Sequence, residues 1–216
     1  MVVAPFIDFV LNQLPPPPRR VLEVGCGSEG GLVLALVAAG YDAVGVDPEA
    51  PEGERFVRGT FQTLEPSNRL LQGWDAVVAG RVLHHVRPLD DGVARLARLA
   101  PLLLVDEFAR ELIDVRAQAW YEERHRIVSE GGGDPPGPPD LDAWRTRHPD
   151  LHRHDVLLAA LRARYDERTL EWLPYLHRWL ADPASEALEQ EAIDAGALPA
   201  TGWRWAGSRR KDPQTG

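Results

Sequence analysis

A glycine turn, a few well-placed carboxylates and two adjacent histidines are the residues of this chain whose types and spacing can do chemistry. The turn lies in Val21-Leu-Glu-Val-Gly-Cys-Gly-Ser-Glu-Gly-Gly31 and contains Gly25-x-Gly27-x-x-Gly30. Glycine takes positive φ at little cost and lets a ligand approach the backbone closely. The apolar run over residues 32–39 reads as a helix opened by that turn, and the N–H groups and positive dipole end of a helix start suit an anionic group. Asp47 follows the glycines by about 20 residues, where a carboxylate can accept hydrogen bonds from ribose hydroxyls. These features together predict a nucleoside-containing ligand. His84 and His85 stand side by side further on, and Glu107 lies beyond them. Histidine titrates near neutral pH and can take up a proton in a reaction, and a carboxylate can hold or move one.

The elements that must position these groups alternate along the chain. Val21, Leu22 and Val24 form a first strand, Gly40 closes the helix after the turn, and residues 43–46 form a second strand ending on Asp47. Phe56-Val57 is a short third strand, ending at Arg58-Gly59-Thr60-Phe61. Trp74-Asp-Ala-Val-Val-Ala79 is a fourth, ending at Gly80. Residues 81–86 read as one or two helical turns and 90–100 as a helix. Residues 102–105 form a fifth strand closing on Asp106-Glu107-Phe108. A weak helix is expected around 67–71. Continuous apolar strands alternating with helices predict an α/β, doubly wound, mostly parallel sheet, with ligands beyond the carboxyl ends of the strands.

The second half is more helical and more aromatic, with six of the seven tryptophans at or after Trp120. Helices are expected over 111–128, 141–148 and 155–164, around a Gly/Pro loop over 131–140. A sixth strand is expected over 167–173. A helix capped by Asp182 and opened by Pro183 runs to about Ala195, with Gly196 as its stop. A seventh strand spans 203–206, ahead of a polar tail. The tryptophans pack a helical insertion or line an apolar pocket. The stretch 110–164 exceeds a plain crossover and reads as an insertion between strands 5 and 6 that serves as a lid. The whole chain, 1–216, reads as a single domain, with an N-terminal helix and proline linker over about 1–18.

With 216 residues, 44% hydrophobic and 26% charged, the composition is that of a soluble globular protein. The net charge of -9 weighs against nucleic acid as a partner and favours a small molecule. No run of 18 apolar residues exists, so no membrane partner is expected. The single cysteine, Cys26, fits a cytoplasmic protein and suits a small buried filler in the turn. The set His148-x-x-x-His152-x-His154 is loosely spaced and broken by Pro149, and no metal site is expected there.

Four segments, in order and at strand ends, resemble a class I S-adenosylmethionine-dependent methyltransferase. They are Val-Leu-Glu23-Val-Gly25-Cys-Gly27, then Gly-Val-Asp47-Pro48, then Trp-Asp75-Ala-Val-Val-Ala79-Gly80 with Leu83-His84-His85-Val86, and Leu-Leu-Val-Asp106-Glu107-Phe. The resemblance implies a seven-stranded Rossmann-like sheet and S-adenosyl-L-methionine as cofactor. It implies that Glu23, Gly25, Cys26, Gly27 and Gly30 contact or approach the methionine part, and that Asp47 and Pro48 lie at the ribose. Thr60 and Phe61 would cover the adenine, and Ala79 and Gly80 would meet the methionine amino group. His84, His85 and Glu107 become candidates for the catalytic proton transfer, and Trp120, Tyr121 and His125 for binding the methyl acceptor. The acceptor expected is a small molecule, at oxygen or nitrogen rather than carbon. Two features depart from the family pattern: Ser28-Glu29 put the third glycine one position late, and the third strand ends without an aspartate. A cofactor-binding protein without catalysis is the nearest alternative. An NAD-dependent oxidoreductase fits less well, because Glu23 would repel a pyrophosphate.

Overall fold

The structure, a computed structural model, describes residues 5–63 and 73–210. In chain order the elements are α1 (Phe6–Gln13), β1 (Arg20–Val24), α2 (Val33–Ala38), β2 (Asp42–Asp47), β3 (Phe56–Arg58) and β4 (Ala76–Gly80). Then come α3 (Leu89–Leu99), β5 (Leu102–Phe108), α4 (Val115–Glu130), α5 (Leu141–Arg147), α6 (His154–Arg164), β6 (Tyr165–Leu173), α7 (Pro183–Asp194) and β7 (Gly202–Arg209). Short 3-10 turns lie at Leu83–His85, Arg110–Leu112 and Leu176–Trp179.

The seven strands form one sheet in the order β3-β2-β1-β4-β5-β7-β6. The pairs β1–β2, β1–β4, β2–β3 and β4–β5 are parallel. Arg209 N donates to Pro101 O and Ala109 N to Thr201 O, so the end of β7 meets the start of β5 and β7 runs antiparallel. The sheet is therefore the mostly parallel, doubly wound one that the sequence predicts.

The chain divides into two compact units. Of the described residues, the larger holds 5–63, 73–107, 155–170 and 204–210, and the smaller holds 108–154 and 171–203. In the larger unit one sheet face (Val21, Ala43, Ala76, Val78, Leu102, Leu104) packs against Phe9, Val10 and Leu14 at α1 and against Val33 and Leu36 of α2. These strand residues are nearly inaccessible to solvent, as a parallel sheet covered on both faces requires. Leu14 leaves α1 in an extended conformation because Pro15 follows it. Between β5 and β7, Arg204 and Asp106 make a buried ion pair.

Several expectations shift. The helix after the turn, although its sequence is apolar throughout, buries one face only: Val33 and Leu36 face the sheet, while Leu34 is 65% exposed. The helix expected over 111–128 is divided. Asp114 caps α4 by accepting from Arg116 N and Ala117 N, so the long helix starts at Val115. Asp182 is the N-cap residue of α7, and its carboxylate also accepts from Ser185 Oγ and Arg124. β7 runs on to Arg209. The weak helix expected around 67–71 falls outside the described residues. Among the described residues, no helix is long and apolar enough to cross a membrane.

The smaller unit has its own aromatic core. Phe108 stacks on Tyr175 at 4.8 Å between centroids, and Trp179 stands edge-on to Tyr121, Tyr175 and Phe108. Glu189, 1% exposed, accepts from the N–H groups of Tyr175, Leu176 and His177. That caps the Leu176–Trp179 turn from a distant helix and fixes the aromatic residues it carries.

Candidate functional site

Because β1, β2, β4 and β5 are parallel and adjacent, their carboxyl ends share one edge of the larger unit. That edge brings together Gly25, Asp47, Gly80, His84 and Glu107. Gly25 N donates to Val46 O, and a Cβ on Gly25 would lie 2.8 Å from Val82 Cβ, so the turn after β1 and the segment after β4 touch.

The turn uses its glycines in different ways. Gly25, Gly27, Gly30 and Gly31 all have positive φ. A Cβ on Gly27 would meet nothing within 4 Å, so open space lies beside the backbone there. A Cβ on Gly31 would overlap the Glu23 carboxylate. The late third glycine is thus absorbed by a second left-handed residue, Gly31, which the sequence reading did not single out as a site residue. Gly31→Ala is expected to cost about 2–4 kcal/mol through the φ of +54° and the overlap. Gly27→Ala is expected to cost about 1–2 kcal/mol, from backbone alone, and to fill the open space. Thermal melts of the two variants check the order, which would be wrong if Gly27→Ala were the less stable.

Glu23 sits at the end of β1 with only 4% exposure, and its carboxylate receives Leu32 N at 2.7 Å and the N–H of Val33. It therefore caps α2 from the strand. Burial pushes its pKa from 4.5 up to about 7, and the two N–H groups only partly offset this. A carboxylate raised in this way stabilises the fold fully below pH 4.5, and that contribution fades as the pH rises through 7. The total is about 3 kcal/mol over that window. Glu23→Gln should flatten the fall in stability between about pH 5 and about pH 8. Denaturant melts at the two pH values test this, and an unchanged slope would assign the titration elsewhere. Cys26 is 4% exposed, its sulfur lies against Gly45, and burial with the charges of Glu23 and Asp47 pushes its pKa up to about 12. The thiol is a filler, not a nucleophile.

Asp47 ends β2 half-buried. Its Oδ1 accepts from Glu49 N at 2.8 Å, which holds the exposed Pro48 turn, and Oδ2 has no partner among the described residues. Thr60 Oγ1 pairs with Thr63 Oγ1, and Phe61 is buried near Gly92. Ala79 is fully buried, while Gly80 is partly exposed and packs by the Phe6 ring. Arg81 then takes φ +54° and donates its N–H to Asp106 O, so the chain turns sharply at the strand end.

That turn leads into the 3-10 segment Leu83–His85. Glu107, with no exposed surface, binds it by three contacts. Its Oε1 accepts from Leu83 N at 2.7 Å and His84 N at 3.3 Å, and Oε2 lies 2.7 Å from His84 Nδ1. The His84 ring is 7% exposed, and the exposed His85 packs on it at 4.1 Å between centroids. A carboxylate at this distance can hold a proton on Nδ1, the tautomer in which Nε2 carries the lone pair.

The three expected acceptor-binding residues belong to the smaller unit. Tyr121 is fully buried, and its hydroxyl donates to Pro138 O. Trp120 packs on the same core, and His125 Nε2 pairs with Gly137 O. His148 stacks on Trp144 and pairs with its carbonyl, while His154 pairs with Glu111.

A family model described as a methyltransferase domain matches residues 2–178. No curated protein matches the chain. The solved structures similar to it include an S-adenosylmethionine-dependent methyltransferase from Mesorhizobium loti. It is 16% identical with a TM-score of 0.57, over 94% of this chain and 96% of that one. The YcgJ protein from Bacillus subtilis is 16% identical with a TM-score of 0.54, over 96% and 98%. A geranyl diphosphate methyltransferase in complex with GPP and sinefungin is 16% identical with a TM-score of 0.58, over 94% and 77%. At these identities the structural likeness speaks to the fold.

Proposed function

The chain belongs to the methyltransferase-domain family, and on that premise we propose that it transfers a methyl group from S-adenosylmethionine to a small-molecule acceptor, at oxygen or nitrogen. The observation that carries this reading is the shared edge of β1, β2, β4 and β5. It unites an open glycine cradle, a carboxylate oxygen without a partner among the described residues and a buried His–Glu pair. The cradle fits the cofactor. Gly25 and Gly27 allow the methionine part to lie against the backbone, Gly80 offers main-chain groups to its amino end, and Asp47 Oδ2 suits a ribose hydroxyl. When bound, the cofactor supplies a methyl group on a positively charged sulfur.

The chain's own residues then have three tasks: to orient, to exclude water and to take a proton. Glu107 holds the imidazole of His84 by Nδ1, and Nε2 accepts the proton that an O–H or N–H acceptor gives up as it is methylated. Trp120 and His125 are the acceptor-binding candidates of the smaller unit. Tyr121 supports them as a core residue.

Calorimetry with S-adenosylhomocysteine and with NAD tests the cofactor. Binding of the first and not of the second is the expected result, and the reverse would make the protein a dinucleotide-binding one. A methyl-transfer assay against acceptor libraries then separates an enzyme from a cofactor-binding protein without turnover.

A further inference from the structure

We propose that the larger unit carries a second binding site, at the sheet edge opposite the glycine turn, for a small molecule bearing a phosphate group. A cavity of about 550 Å³ opens there. It lies at the amino ends of the parallel strands: Arg19 precedes β1, Asp75 precedes β4, Leu102 opens β5 and Arg209 closes β7. Arg168, from β6, adds a third arginine to the residues that line it, and Ser208 lines it as well.

Charge makes this set unusual. The chain is acidic overall, with 33 Asp and Glu against 24 Lys and Arg. Neighbouring arginines have found carboxylates: Arg20 and Arg55 share Asp42, Arg162 pairs with Glu167, and Arg210 with Asp166. Among the described residues, Arg19, Arg168 and Arg209 have no ion-pair partner. Asp75 lies in the same cavity, but its Oδ2 accepts from Arg20 N at 2.8 Å, which ties it to the backbone of β1. Arg209 is steadied by donating Nη1 to Ala97 O. Three cations against one anion leave the lining with an excess of two positive charges, in a protein of the opposite sign.

The chemistry that matches is a phosphate. Guanidinium groups present paired N–H donors to its oxygens, and several around one space recognise a doubly charged anion better than a carboxylate. The volume exceeds that of a bare anion and falls in the range of small-molecule pockets. Leu14 and Leu102, both largely buried, give the organic part of such a ligand an apolar wall.

The probe is inorganic pyrophosphate at low ionic strength, where exposed charges are least screened. Amide shifts on titration should be saturable and centred on Leu102 and Ser208, with Gly27 and Asp47 unmoved. The double variant Arg19→Ala, Arg168→Ala should bind at least about tenfold more weakly. It should keep the parent's affinity for S-adenosylhomocysteine, which shows that it is folded and that the two sites are separate. Equal pyrophosphate affinity in parent and double variant would overturn the proposal. So would shifts centred on the glycine turn, or binding to anionic phospholipid vesicles without binding to pyrophosphate. Failure of S-adenosylhomocysteine to bind the parent would count against the methyl-transfer reading alone.

Discussion

Asp47→Ala is expected to weaken S-adenosylhomocysteine binding by about a hundredfold, while lowering stability by about 1 kcal/mol or less. The two numbers come from the two oxygens of one carboxylate. Oδ1 accepts from Glu49 N and closes the turn after β2, a contact whose loss resembles the loss of a helix cap. Oδ2 has no partner among the described residues and is the oxygen left for the ribose. Hydrogen bonds to an ionised acceptor contribute about 1.5–3 kcal/mol each, so one or two of them give a hundredfold change. Asp47→Asn separates the roles further, because the amide oxygen still accepts from Glu49 N while the charge is gone. It should keep the parent's melting temperature and lose about tenfold in affinity. Calorimetry on the three proteins reads both effects. Parent-like affinity in a folded Asp47→Ala protein would remove the ribose role.

The main features of the fold were legible because they are local or periodic. Short apolar strands, the glycines and Asp47 are written in consecutive residues, and parallel pairing then brings the strand ends together without further information. What escaped was set by distance in sequence or by competition between neighbours. Glu107 reaches Leu83 and His84 across 24 and 23 residues, and Glu189 caps a turn 13 residues back. Glu107 reads from sequence as a proton-transfer candidate and Glu189 as an ordinary carboxylate, and neither set of contacts is written in neighbouring residues. Arg204 and Asp106 pair across 98 residues. The start of α4 was missed because Asp114 outcompetes the apparent helix over 111–114 by satisfying two free N–H groups. Leu34 is exposed although it is leucine, because a helix on one side of a sheet covers only one of its own faces. Tyr121, an aromatic residue on a polar helix expected to meet the acceptor, packs its ring into a core and gives its hydroxyl to a carbonyl.

Glu107→Gln is expected to lower kcat by about 10²–10⁴ with the cofactor affinity unchanged. The substitution keeps the shape of the side chain and reverses one hydrogen bond. The carbonyl oxygen of the new amide can still accept from Leu83 N and His84 N, so the turn after β4 keeps its anchor. The amide nitrogen then faces His84 Nδ1 and can only donate. The imidazole must answer with the lone pair on Nδ1 and the proton on Nε2, which is the wrong tautomer for a base. His84→Ala should match that loss in kcat. Glu107→Ala should behave differently: it strands two N–H groups and an imidazole in a buried site and should cost about 3 kcal/mol or more of stability. A merely structural Glu107 predicts the opposite ranking for the glutamine variant, with KM or stability changed and kcat intact. The exposed neighbour adds a second readout, because His85→Ala should keep the parent's kcat. If His85→Ala lost kcat while His84→Ala kept it, the base would be His85, and the buried pair would serve to hold the exposed ring packed upon it.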